Sequence, residues 1–236
     1  DIGNRLFDNF KKNNPERFYN CGVAEANMTG VASGLASCGF KPVTYTITPF
    51  NTARCFEQIR LDICYPNLPI IIVGTGSGLS YASLGATHHS MEDISILKTL
   101  PNLQIICPAD KKEVREAFIK AYESNKPTYI RLGKKGEPLI HKKKPNFQIG
   151  KSIFLKKGND VALLGVGNAL SIAAKCEEEL FKKKIKCDLI SFHTPKPLDK
   201  KLLTNLFKSD KLIAIIEEHG LIGGVGSSVL EWANEN

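Results

Sequence analysis

The chain has 236 residues, 42% apolar and 24% charged, with a formal net charge of +8. That is enough to bury one large core or two ordinary ones, and the balance excludes a disordered or fibrous chain. No apolar run approaches the roughly 20 residues of a membrane span, and the lysines lie in short scattered runs without interleaved aromatics, which argues against a nucleic-acid face. The seven cysteines are scattered and mostly sit in apolar patterns. They read as free thiols of a cytoplasmic protein, with no disulfide framework and no zinc site. The chain opens on Asp1 and stops inside a helical pattern, so a piece of a longer protein is expected, and a missing signal peptide carries no weight.

In chain order, helical periodicity occurs near 6–13, 25–38, 52–63, 91–100 and 111–124. Between these lie strand-type runs: PVTYTI, PIIIVG, LQIICP and PTYIRL. A polar, basic stretch, GKKGEPLIHKKKPNFQIGK, reads as a linker. The alternation then restarts with DVALLGVG, ALSIAAKCEEELFKKK, IKCDLISF, LDKKLLTNLF, KLIAIIEE and GGVGSSVLEWA. This predicts an α/β protein of two three-layer domains with mostly parallel sheets. Their expected bounds are 1–136 and 151–236, joined by a linker over 137–150.

Ligands of such sheets gather at the carboxyl ends of strands, which directs attention to the loops after Ile47, Gly74, Pro108 and Arg131. TPFNTARCFEQIR places an aromatic, Phe50, at the start of a helix, and GTGSGLSYASLGATHHSMED is a long Gly/Ser-rich loop ending in two histidines. Upstream, Glu25 is a lone carboxylate opening a helical stretch of small and apolar residues. Two uses fit it. One is a helix N-terminal carboxylate facing free N–H groups. The other is a buried acid that exchanges a proton with a ligand nitrogen, its pKa raised by desolvation.

Other motifs carry less. Neither GTGSG at 74–78 nor GVG at 165–167 completes a dinucleotide fingerprint, and no P-loop, nucleophile elbow or HExxH occurs. His88, His89, Glu92 and Asp93 fall short of a metal site. GGVGSS at 223–228 could cradle an anion at a helix start, although close strand–helix packing is its commoner use. His219 has no apparent partner in the sequence and reads as structural.

Taken together, RFYNCGVAEANMTGVASGLASCGFKP resembles the transketolase family segment R-F-x-N-x-G-I-A-E-x-N-M followed by A-x-G-L-A-x-x-G. FNTARCFEQIR, GATHHSMEDISILKTLPNLQIICPAD and PTYIRLGK follow in family order, and IIEEHGLIGGVGSSV is similar to the family's C-terminal domain. The resemblance covers nearly the whole chain. It implies a pyrimidine-binding domain followed by a C-terminal domain, and thiamine diphosphate as cofactor. In the family, the glutamate matching Glu25 hydrogen-bonds N1′ of the aminopyrimidine and favours the tautomer whose 4′-nitrogen deprotonates the thiazolium. Phe50 matches the aromatic that packs on the pyrimidine ring, His88 matches a donor-contacting histidine that is also a catalytic candidate, and Arg131 matches an arginine that grips an anionic substrate end.

The resemblance also carries departures. A donor-contacting histidine is replaced by Gly76, and an aspartate that reads a sugar hydroxyl by Leu84. The family's G-D-G…N motif, which binds diphosphate and magnesium or calcium, is absent. The resemblance therefore implies a split transketolase subunit or fragment. It would transfer a two-carbon ketol unit between sugar or sugar-phosphate substrates once an N-terminal partner supplies the diphosphate and metal site. A homodimer contact through the first domain is expected. Two rival expectations are a deoxyxylulose-phosphate-synthase-like carboligase and a non-catalytic assembly or regulatory subunit.

Overall fold

The computed structural model describes residues 5–236; the first four residues of the expected first domain lie outside the described residues. The first half contributes α1 (Asp8–Asn13), α2 (Glu25–Ser37), β1 (Val43–Ile47), α3 (Thr48–Asn51), α4 (Phe56–Gln58), β2 (Ile71–Thr75), α5 (Asp93–Leu97), β3 (Gln104–Ile106), α6 (Lys111–Ser124) and β4 (Thr128–Leu132). Its four strands are all parallel, in the order β1-β2-β4-β3. Every residue of β2 is buried, as expected of a parallel strand covered on both faces.

The second half adds β5 (Ile153–Lys156), β6 (Val161–Gly165), α7 (Leu170–Lys182), β7 (Cys187–Ser191), α8 (Lys200–Phe207), β8 (Leu212–Ile216) and α9 (Val225–Glu235). Its sheet runs β5-β7-β6-β8, with β5 antiparallel at the edge and the rest parallel. The chain therefore forms two α/β domains with mostly parallel sheets. The antiparallel β5, built from SIFLKK, does not figure among the strands expected from the sequence. Nor does the break in the helix expected over 52–63. There a 3₁₀ turn (Ala53–Cys55) leads into α4, and the chain widens into a π turn over Ile59–Cys64, with Tyr65 N–H donating five residues back to the Arg60 carbonyl at 3.0 Å.

The two domains share a core. Ile59, Leu97 and Ile105 from the first pack in one apolar cluster with Phe192, Leu203, Val229 and Trp232 from the second. The open edge of β3 is covered too. Ile105 N–H donates to the Lys196 carbonyl at 2.8 Å and Cys107 N–H to the His193 carbonyl at 2.7 Å, so unpaired strand groups do not face solvent there. The 640 Å³ cavity lined by Lys151, Asp199 and Lys211 lies in the second domain. It shares no residue with the cluster described next.

Candidate functional site

α2 begins at Glu25, preceded by Ala24, which provides no side-chain cap. The carboxylate does not cap its own helix either. Only 2% exposed, its Oε2 accepts from Arg54 Nη1 at 2.8 Å, while Oε1 is buried with no hydrogen-bond partner among the described residues. An unmet carboxylate oxygen in an apolar setting costs several kcal/mol, about 1–3 or more by mutational measures, so it calls for an explanation. The small side chains of α2 allow close packing, and Ala32 and Ala36 are buried in the shared core.

Phe50 is set by α3, which is fastened to the carboxyl end of β2. Thr48 Oγ1 donates to the Thr75 carbonyl at 3.0 Å, and Asn51 Nδ2 to the Val73 carbonyl at 2.9 Å. Gly74 makes this approach feasible, because a Cβ there would lie 2.9 Å from Thr48 Oγ1 and from Tyr129 Oη. The Arg54 guanidinium sits over the Phe50 ring at 4.2 Å and thereby joins Phe50 to Glu25. Cys55, the next residue, donates its thiol to the Phe50 carbonyl at 3.2 Å, and burial pushes that thiol's pKa up.

His88 comes to the same place from the long loop. Its ring meets Phe50 edge-on at 5.2 Å and Tyr81 at 5.8 Å, and its Nδ1 lies 2.9 Å from Thr87 Oγ1. The loop closes at its neck through two backbone bonds, Gly78 N–H to the Ser90 carbonyl (3.0 Å) and Ser90 N–H to the Gly78 carbonyl (2.9 Å). Tyr81 folds back over Gly76, whose φ is +81°; a Cβ on Gly76 would come within 1.9 Å of the Tyr81 ring. Any side chain at 76 would therefore have to expel Tyr81. Leu84 is 51% exposed on the loop's outer surface.

Arg131 is not brought to this cluster as a free cation. Its side chain, 4% exposed, donates from Nε to Asp93 Oδ2 at 2.7 Å and from Nη2 to the carbonyls of Ser90 and Glu218, each at 2.9 Å. Asp93 also accepts from Tyr129 Oη at 2.7 Å. Burial works to raise the Asp93 pKa, but the Arg131 guanidinium, the Tyr129 hydroxyl and His219 together outweigh it and hold the carboxyl below its usual range. The anion grip expected at 131 would have to come from a guanidinium that is already paired with Asp93 inside the fold.

A different cation stands at the cluster. Lys134, past the end of β4, lies 4.7 Å from the Tyr81 ring centroid, exposed and in no ion pair among the described residues. The extension of β2 fixes this corner, since Gly76 N–H and Thr75 Oγ1 both donate to the Gly133 carbonyl at 3.2 and 2.9 Å. The cluster is thus a row: Glu25, Arg54, Phe50, His88, Tyr81, Lys134. Sequence reasoning finds Glu25, Phe50 and His88 and misses the other three. For Lys134 the available signal is its place just after a glycine at the carboxyl end of a buried strand.

Known proteins resemble the chain in sequence and fold. The family model described as "Transketolase, pyrimidine binding domain" matches residues 3–137, and "Transketolase, C-terminal domain" matches 150–236. The chain is 36% identical over 227 residues to an apulose-4-phosphate transketolase subunit of Actinobacillus succinogenes, covering 96% of this chain and 73% of that one. It is 34% identical over 227 residues to the 6-deoxy-6-sulfo-D-fructose transketolase subunit of a Clostridium species, covering 96% and 70%. A 1-deoxy-D-xylulose-5-phosphate synthase of Halothermothrix orenii is 35% identical over 230 residues, 96% of this chain but 36% of that longer protein. Among solved structures, a split-gene transketolase in an inactive beta4 tetramer superposes with a TM-score of 0.91 at 35% identity, covering all of this chain and 77% of that one.

The chain belongs to the transketolase family, whose members are thiamine-diphosphate-dependent transferases. Within it, the chain is the C-terminal part of a transketolase-like enzyme, a pyrimidine-binding domain followed by the transketolase C-terminal domain.

Proposed function

We propose that this chain catalyses two-carbon ketol transfer between sugar or sugar-phosphate substrates, in the cytoplasm, once an N-terminal partner bearing the diphosphate and its magnesium or calcium completes the site. The observation that carries this reading is the buried Oε1 of Glu25, standing at one end of a row of side chains with no hydrogen-bond partner among the described residues. That oxygen fits a ring nitrogen of an aminopyrimidine, so the residues present suit the cofactor. When bound, thiamine diphosphate supplies the acidic thiazolium carbon and the electron sink for the reaction. Glu25 holds or shares a proton at the pyrimidine N1′ from a desolvated position. Phe50 offers a ring face to the pyrimidine, and its fastening through α3 keeps that face in place.

Further along the row, His88 contacts the donor and Lys134 receives its anionic end, since Arg131 is already paired with Asp93. On this reading the domains are 1–136 and 151–236, joined by a linker over 137–150. Partner dependence is supported by the missing G-D-G motif and by relatives that are themselves named as transketolase subunits, and the solved beta4 tetramer is described as inactive. Val31, Leu61 and Tyr65 are exposed at 42%, 45% and 82%, an apolar surface on the first domain suited to a homodimer contact.

The test is a calorimetric titration of thiamine diphosphate with magnesium into the chain alone and into its mixture with the diphosphate-domain partner. Saturable binding in the mixture only is the expected result. A complex that forms yet binds no cofactor would overturn the reading in favour of a non-catalytic subunit. Product analysis with ketose and with pyruvate donors then separates ketol transfer from a synthase-type carboligation.

A further inference from the structure

The segment leaving β8, Glu217-Glu218-His219-Gly220, belongs to the second domain, yet most of its hydrogen bonds reach into the first. Glu217 stays at home. Its carboxylate accepts from the N–H groups of Val225 and Gly226, both at 2.8 Å, and so occupies the N-terminus of α9 that GGVGSS might have offered to an external anion. Glu218 turns the other way. Its Oε1 accepts from the backbone N–H of Leu79 at 2.9 Å, and its carbonyl accepts from Arg131 Nη2 at 2.9 Å. The same Nη2 donates to the Ser90 carbonyl, on the opposite side of the loop neck. Gly220 N–H donates to the Met91 carbonyl at 2.9 Å, one residue further on.

These bonds converge on the two ends of the loop 78–90, which carries Tyr81 and His88. Gly78, at φ +59°, is the residue that lets them form. A Cβ there would sit 2.2 Å from Cγ and Cδ of Glu218, so the carboxylate lies flat against the loop backbone only because no side chain intervenes. His219 backs the arrangement as an acceptor, its Nε2 taking the Ser95 N–H at 3.4 Å while Nδ1 faces the Gly220 carbonyl at 2.9 Å.

We propose that Glu218 is a positioning residue for the substrate loop: by holding Leu79 N–H across the domain boundary it sets the place of His88, and so ties donor affinity to the second domain. This rests on the assignment of His88 to the donor. A group that only aligns a donor contact helps ground state and transition state alike, so its loss raises KM and leaves kcat nearly untouched.

The experiment compares Glu218→Ala and Glu218→Gln in the complete enzyme with its N-terminal partner. The amide of Gln keeps an oxygen that can accept the Leu79 N–H, and Ala does not. Glu218→Ala is expected to raise donor KM about tenfold, from loss of one hydrogen bond to a charged acceptor, with kcat and cofactor affinity within about twofold. Glu218→Gln restores most of the difference. In a His88→Ala background the Glu218→Ala change adds nothing further to KM. An unchanged KM in Glu218→Ala, an equal rise in cofactor Kd, or full additivity with His88→Ala would each overturn the proposal. Amide exchange on the chain alone is independent of turnover. Glu218→Ala exposes Leu79 N–H to exchange about tenfold faster while Glu218→Gln keeps it protected. If the wild-type complex turned over no ketose, the donor reading would fail, while the exchange result would still decide whether Glu218 holds the loop; equal protection in all three chains would sink it.

Discussion

Glu25 and Glu113 both stand in the first turn of a helix, and both are buried, at 2% and 0% exposure. Around Glu113 every oxygen has a partner from the chain. Its Oε2 accepts from Ala109 N–H at 2.8 Å, and its Oε1 from Ser191 Oγ at 2.6 Å with His141 Nε2 at 3.2 Å. Neighbouring Asp110 is equally complete. Oδ1 takes the N–H groups of Lys112 and Glu113, and Oδ2 takes those of Ile140 and His141 as well as lying 3.1 Å from His141 Nδ1. This group binds α6, the segment at Ile140 and His141, and β7 together. Burial pushes the Glu113 carboxyl up, whereas at Asp110 the hydrogen bonds from His141 and Glu113 outweigh burial and hold it below the usual range. Glu25 differs by one oxygen. An open buried oxygen does not by itself set Glu25 apart, since Asp93 Oδ1 also lacks a hydrogen-bond partner among the described residues; what distinguishes Glu25 is its place at the end of the row formed with Arg54, Phe50 and His88.

The sharpest way to break that contrast is Glu25→Gln. Turnover of the assembled enzyme should fall by roughly 10²–10⁴-fold, the usual weight of a positioned acid–base group, while a urea melt of the chain barely moves. Arg54, half exposed at 48%, is not stranded by the change. A variant that keeps its activity would place Glu25 with Glu113 as a fold residue. Asp110→Ala should do the reverse. Removing one member of the closed group costs about 3–5 kcal/mol in urea denaturation. The sign with pH follows from the lowered carboxyl: its stabilisation is complete above about pH 4, the ordinary unfolded value, and disappears as the pH falls through the folded value. The gap between wild type and variant therefore closes in acid, and a gap that stayed constant would remove Asp110 from the account. The smallest effect belongs to Lys134→Ala, expected to raise KM for an anionic donor about tenfold with no measurable loss of stability. A loss of stability without a KM change would instead make Lys134 a packing residue of Tyr81.

The two α/β domains and their mostly parallel sheets are legible because buried parallel strands read as continuous apolar runs. Glu25 is legible because a single charge interrupts a long apolar stretch. What escapes the sequence is direction and company. β4 keeps Arg131 enclosed because Asp93, 38 residues away in sequence, returns from α5 to meet it. No local pattern reveals such a partner, so the enclosure of the guanidinium at 131 cannot be read from PTYIRL. Arg54 is hidden inside an expected regular helix that the structure breaks into 3₁₀, α and π turns. The antiparallel β5 is short and half exposed, which leaves its alternation faint.

The open oxygen of Glu25 has one more consequence, for how much of this protein a cell holds folded. A folded chain carrying an unmet buried polar atom is less stable than its packing alone would make it. Any ligand that meets that atom binds the native form and not the unfolded one, and at a hundredfold excess over its Kd it adds about 2.7 kcal/mol to native stability. If the proposed site forms with the partner, the melting temperature of the complex, and with it resistance to proteolysis, would rise and fall with ligand supply, while that of the chain alone would not.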